Sequence, residues 1–218
     1  MIKLQLPVHK DKGLEILCLG AHCDDIEIGC GGSILMLLQQ YKINKLSWVV
    51  FCSNEERKKE AETSAGKFLD GVENVNIKIL SYRDGFLPDA WRKVKEEFEL
   101  IKREVNPDLT FTHRLEDRHQ DHRIVSDLTW NTFRNHMMLE YEIPKYDGDL
   151  TTPNLYVEVD RVTANQKNRI ILESFQSQQN KHWLDDELLN GLMRVRGVES
   201  VSETGFAEGF HVRKMVLK

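Results

Sequence analysis

Two stretches concentrate the residues that could do chemistry. The first, "AHCDDIEIGCGG" at 21–32, sets His22, Asp24, Asp25 and Glu27 directly after the apolar run "EILCLG". Carboxylates this close repel one another, and burying them is costly unless something positive holds them. The second, "HRLEDRHQDHRI" at 113–124, holds three histidines and three carboxylates in its first ten positions. His119 and His122 stand three apart, so at the mouth of a helix they would point the same way. His22, Asp25 and His122 together supply two imidazoles and a carboxylate, the ligand set of a catalytic zinc with one position open for water. A rival reading uses His22, Asp24 and a distant histidine as a two-histidine, one-carboxylate triad for non-haem iron.

Such residues are useful only if the fold brings the two stretches together. Strand-like runs occur at 14–20, 47–52, 76–82, 109–113 and 154–160, with a final one in "FHVRKMVLK" at 210–218. Helical patterns fall at 33–42, 55–70, 91–105, 163–175 and 183–195, and in "DHRIVSDLTWNTFRN" after the second cluster. Asn106-Pro107 breaks the helix at 91–105 before the next strand. Strands alternating with helices predict an α/β, Rossmann-like three-layer sandwich: a mostly parallel sheet with helices on both faces, in a single domain over 1–218. The Pro-, Gly- and Asp-containing stretch 140–153 reads as a surface loop. In open sheets of this kind ligands bind outside the carboxyl ends of the strands. Both clusters leave strands at that end, so they are expected to meet. "GCGG" lacks the spacing of a dinucleotide or phosphate loop, and its expected task is to let the backbone turn tightly and pack closely before the next helix.

Composition narrows the class. The chain has 218 residues, 40% apolar and 30% charged, with net charge −5. Its basic residues are dispersed among acids, which leaves no nucleic-acid footprint. The longest apolar runs, "SILMLL" and "WVVFC", are far too short to cross a bilayer, and the first residues lack the apolar core of a signal peptide. Cys18, Cys23, Cys30 and Cys52 form no CxxC pair and fit reduced thiols, so a cytoplasmic location is expected.

The paired motifs "AHCDDIEIGCGG" and "DRHQDH" closely resemble those of the PIG-L/LmbE-like zinc N-deacetylases, AHPDDxExGxGG followed by HxDH. Weaker supporting matches run along the chain: "ERKKEAE" is similar to the family's RxxEA helix, and "SYRDGFL" to its strand-end DG turn. "FQSQ" and "TGFAEGF" are similar to its SQ and AEAF elements. The resemblance implies removal of acetyl from an N-acetylated amino sugar or sugar conjugate, with one Zn2+ per chain or another divalent transition metal in its place. His22, Asp25 and His122 match the zinc ligands, and Asp24 the general base that deprotonates the metal-bound water. His119 matches the residue that, protonated, steadies the oxyanion or protonates the leaving amine. Asp121 falls where a carboxylate would orient an imidazole.

Arg57, on the RxxEA helix, has two readings: contact with a substrate hydroxyl or phosphate, or a surface ion pair with Glu60. Cys23 stands where the family carries proline, so the turn loses a fixed φ and gains a thiol. Members of the family often form homo-oligomers, and the same is expected here. Iron oxygenases with the rival triad commonly sit on all-β jelly rolls, which this alternating pattern does not match. A non-catalytic homologue that kept fold and metal is the other alternative, and acetate release separates it from an enzyme.

Overall fold

A computed structural model describes residues 2–6, 13–181 and 183–216. Its elements run β1 (Leu14–Gly20), α1 (Asp25–Gln40), β2 (Ile43–Cys52), α2 (Glu55–Phe68), β3 (Val75–Tyr82) and α3 (Trp91–Glu104). They continue with β4 (Leu109–His113), α4 (Gln120–Thr132), β5 (Met137–Tyr141), β6 (Leu155–Val159), α5 (Arg161–Ser174), α6 (Asp186–Glu199) and β7 (Phe206–His211). The strands form one sheet in the order β3-β2-β1-β4-β5-β7-β6. The first five are parallel, while β7 runs antiparallel to both β5 and β6. The expected α/β architecture with a mostly parallel sheet is present.

Alternation along the central strands builds the layers. In β1, Ile16 and Cys18 face the helices α1, α2 and α5, while Leu17 and Leu19 face α3 and α4. In β2, Leu46, Trp48 and Val50 take the first face and Val49 and Phe51 the second. A strand buried on both faces reads as a continuous apolar run, which is why "WVVFC" stood out in the sequence. On α3, Val94, Phe98 and Ile101 recur at helical spacing and are buried. Phe98 stacks on Phe51 with ring centroids 5.1 Å apart.

Three expectations are corrected. Helix α1 begins at Asp25, eight residues before the expected 33, so the glycines of "GCGG" lie inside the helix instead of forming a turn. They permit close approach: a Cβ on Gly29 would sit 2.2 Å from the Tyr141 ring. β5 occupies 137–141, overlapping the expected loop at 140–153; its sequence "MMLEY" has no β-branched residue to announce a strand. The last strand covers 206–211, not 210–218, because its ladder partners in β5 and β6 end there. Residues 217–218 lie outside the described residues.

Candidate active site

β1 and β4 are neighbours in the sheet, and their connections leave toward opposite faces, α1 on one side and α4 on the other. That is the topological switch point, where the carboxyl ends of parallel strands open a crevice. His22 to Asp25 leave β1 there, and His113 to His122 leave β4. The two clusters do meet.

Their meeting point has the spacing of a metal site. His22 Nδ1 lies 3.1 Å from His122 Nε2 and 3.3 Å from Asp25 Oδ2, and His122 Nε2 lies 3.5 Å from Asp25 Oδ1. Two nitrogen or oxygen ligands on a tetrahedral zinc stand about 3.3 Å apart, given bonds of about 2.0 Å. The donor set fits such an ion. Tautomers are also set correctly. His22 Nε2, facing away, is 3.2 Å from Asp121 Oδ2, and His122 Nδ1 is 3.0 Å from Asp117 Oδ2. A carboxylate on the outer nitrogen favours the proton there and leaves the inner lone pair free to ligate. Asp121 is fixed in turn by the amides of Gly85 (2.6 Å) and Leu87 (3.0 Å), and Asp117 by Lys145 Nζ (2.8 Å). Sequence reasoning expected Asp121 beside an imidazole, and it lies beside His22, but it did not single out Asp117, whose place five residues before His122 was its only signal.

Electrostatics follow the geometry. Burial would raise the Asp25 carboxyl, but His122, His113 and His22 around it hold its pKa well below the usual range. Burial and the neighbouring His113 push His122 down to about 3. Burial also works against a charged His22, yet Asp25, Asp121 and Asp84 outweigh it and raise its pKa well above the usual value. Without an ion, these directions favour the proton on His22 over His122.

Asp24, one residue from Asp25, behaves differently. It is the N-cap of α1, yet its side chain makes no capping bond. Instead Arg57 Nη2 lies 3.0 Å from its Oδ2, with both side chains largely buried. Burial raises the Asp24 pKa, and Arg57 restrains the rise. Arg57 Nη1 also reaches Glu60 Oε2 and Ser177 Oγ at 3.5 Å, and its guanidinium stands over the Phe175 ring. So Arg57 does pair with Glu60, but its principal partner is Asp24, which neither sequence reading foresaw. Glu27, the third acid of the motif, is wholly buried, and burial pushes its pKa well up, which favours its neutral form beside the aspartates.

His119 is the N-cap of α4, its Nδ1 accepting from the Asp121 amide at 3.3 Å. The single proton of a neutral ring is then at Nε2. Burial and the charge on His22 lower its pKa, which favours the neutral ring over the imidazolium. Its ring lies 4.7 Å from those of both His22 and His122. His113, counted in the sequence but given no role, ends β4 and stacks on His122 with ring centroids 3.9 Å apart. With Asp25 and His122 it makes an alternative ligand cluster. However, its Nε2 accepts the Ala21 amide at 2.9 Å, which occupies the lone pair an ion would need.

Among the described residues no helix is long and apolar enough to cross a membrane. The fold is shared with solved structures. N,N'-diacetylchitobiose deacetylase from Pyrococcus horikoshii superposes with TM-score 0.70 at 22% identity, over 93% of this chain and 84% of that one. The 4-carboxy-2-hydroxymuconate hydratase from Pseudomonas putida KT2440 gives TM-score 0.70 at 15% identity, over 94% and 98%. A teicoplanin deacetylase in its zinc inhibited form gives 0.69 at 14%, over 94% and 100%. Residues 17–133, which include both His/Asp clusters and Arg57, match the family model PIG-L: GlcNAc-PI de-N-acetylase, and the chain belongs to that family.

Proposed function

We propose that this protein is a zinc-dependent hydrolase that removes the acetyl group from an N-acetylated amino sugar or sugar conjugate. One observation carries the reading: His22 Nδ1, Asp25 and His122 Nε2 converge at ligand spacing, while the adjacent Asp24 is kept apart on Arg57. His22, Asp25 and His122 would hold the ion, which when bound polarises the acetamide carbonyl and makes a water easier to deprotonate.

The chain's own residues supply the rest. Asp24 takes a proton from the water whose oxygen attacks the carbonyl carbon. Its raised pKa suits it to hold that proton and then release it to the amide nitrogen as the C–N bond breaks. Acetate and a free amine result. His119, donating from Nε2, would steady the charge that develops on the carbonyl oxygen. Asp121 and Asp117 keep the two ligand imidazoles in the ligating tautomer.

The iron reading loses ground because it needs Asp24 as a ligand, and the Asp24 carboxylate faces Arg57. Fold alone does not select hydrolysis, since one structural neighbour is a hydratase. Zinc-loaded protein offered a panel of N-acetylated sugars is expected to release acetate and free amine in equal amounts. Hydration of 4-carboxy-2-hydroxymuconate with no acetate from any sugar would overturn the proposal.

A further inference from the structure

The outer nitrogen of His22 has more partners than one proton can serve. Nε2 lies 3.1 Å from Asp84 Oδ1 and 3.2 Å from Asp121 Oδ2. Cys52 Sγ, at the end of β2, lies 3.8 Å from the same Asp121 oxygen. The ligand atoms of His22, Cys52 and Asp121 all fall within 4.8 Å of one another. On a tetrahedral zinc, nitrogen–oxygen and sulfur–oxygen ligand pairs stand about 3.3 and about 3.5 Å apart, so these separations need little adjustment. Asp84 is exposed and gives a way in from solvent, whereas Cys52 and Asp121 are buried.

We propose that His22 Nε2, Cys52, Asp84 and Asp121 form a second cation site, selective for thiophilic ions, through which excess zinc or cadmium inhibits the enzyme. Sulfur and imidazole together select zinc and cadmium over magnesium or calcium, which take all-oxygen sets. Binding replaces two protons, the Cys52 S–H and the His22 Nε2–H, and both leave to solvent. The Cys52 sulfur joins as the cation displaces its proton. Occupancy inhibits because the second ion takes Asp121 from its bond to His22 Nε2–H and so changes the charge on the ring that presents Nδ1 to the first site. The site itself stands on these four residues; only its effect on turnover rests on the deacetylase reading.

Cadmium titration of the purified protein tests this, following the near-ultraviolet charge-transfer absorption of a cadmium–thiolate bond. Wild type is expected to bind two equivalents and to develop the band with the second. Cys52→Ser should bind one equivalent with no band, and Cys23→Ser should keep the band. Asp84→Ala, at an exposed position, should weaken the band-forming step and raise the zinc concentration needed for inhibition, each by about 10-fold or more. His122→Ala should lose the first equivalent yet keep the band, so failure of the proposed catalytic site and failure of this one give different results. Absence of a band in wild type, its persistence in Cys52→Ser, or inhibition by zinc unchanged in Asp84→Ala would overturn the proposal.

Discussion

Arg57 Nη2 stands 3.0 Å from Asp24 Oδ2, and this pair joins the helix that follows β2 to the loop that follows β1. Arg57 opposes the rise that burial imposes on the Asp24 pKa. Removing the guanidinium should therefore raise that pKa further. A general base works only when deprotonated, so the acid limb of the kcat profile in Arg57→Ala is expected to move to higher pH. Arg57→Lys should move it back part of the way, since it restores the charge but not the planar fork. A profile that stays in place while only KM rises would return Arg57 to substrate binding.

Neighbouring aspartates should fail in different ways. Asp25 lies among three imidazoles, so Asp25→Asn is expected to lose metal, because a neutral amide is a poor ligand there. Asp24 lies on Arg57, so Asp24→Asn should keep its metal and lose roughly 10²–10⁴-fold in kcat, the usual size of a general-base contribution. Metal content and kcat measured side by side decide it. Zinc lost from Asp24→Asn but kept by Asp25→Asn would reverse the two roles.

Gly29 should tolerate no side chain. A Cβ there would meet the Tyr141 ring at 2.2 Å, and Tyr141 is buried, with its hydroxyl donating to the Leu19 carbonyl at 2.7 Å. Neither the helix nor the ring can move freely. Gly29→Ala is expected to cost about 1–3 kcal/mol, the usual penalty of overpacking, although alanine is the better helix former. Urea unfolding measures the difference, and an unchanged midpoint would show that the Tyr141 ring yields.

The site was legible in the sequence where spacing alone fixes placement. A strand followed at once by His22 and Asp25, and another followed by His119 and His122, must meet if both strands are parallel and adjacent. Arg57 and Asp117 show where legibility ended. The Asp24–Arg57 pair spans two separate crossovers, and nothing local distinguishes it from the helical pair with Glu60. Asp117 lies in a turn, where direction depends on the backbone path and not on period. The α1 boundary was misplaced for a different reason: glycines suggest a break, but here close packing against Tyr141 outweighed their poor helix propensity. β5 escaped notice because "MMLEY" is held in place by its neighbours β4 and β7 more than by its own preference.

Asp117 and Lys145 extend the site beyond the motif residues, and their role can be isolated. Asp117 accepts from His122 Nδ1 at 3.0 Å and from Lys145 Nζ at 2.8 Å, and Lys145 also holds Asp149 at 2.8 Å. An ionised Asp117 makes His122 Nε2 a stronger donor to the ion. Asp117→Asn keeps a hydrogen-bond acceptor of the same shape but removes the charge. It is expected to weaken zinc binding by about 10–100-fold, the usual cost of losing an outer-shell carboxylate. Once saturated with zinc, its kcat should fall far less than that of Asp24→Asn, because Asp117 acts through His122. Lys145→Met should weaken zinc binding in the same direction by a smaller factor, since Asp117 keeps its charge but loses a donor that fixes it. Affinity measured by competition with a chelator, beside kcat at saturating zinc, separates the two effects. Unchanged affinity in Asp117→Asn would mean that His122 is positioned by its stacking on His113 alone.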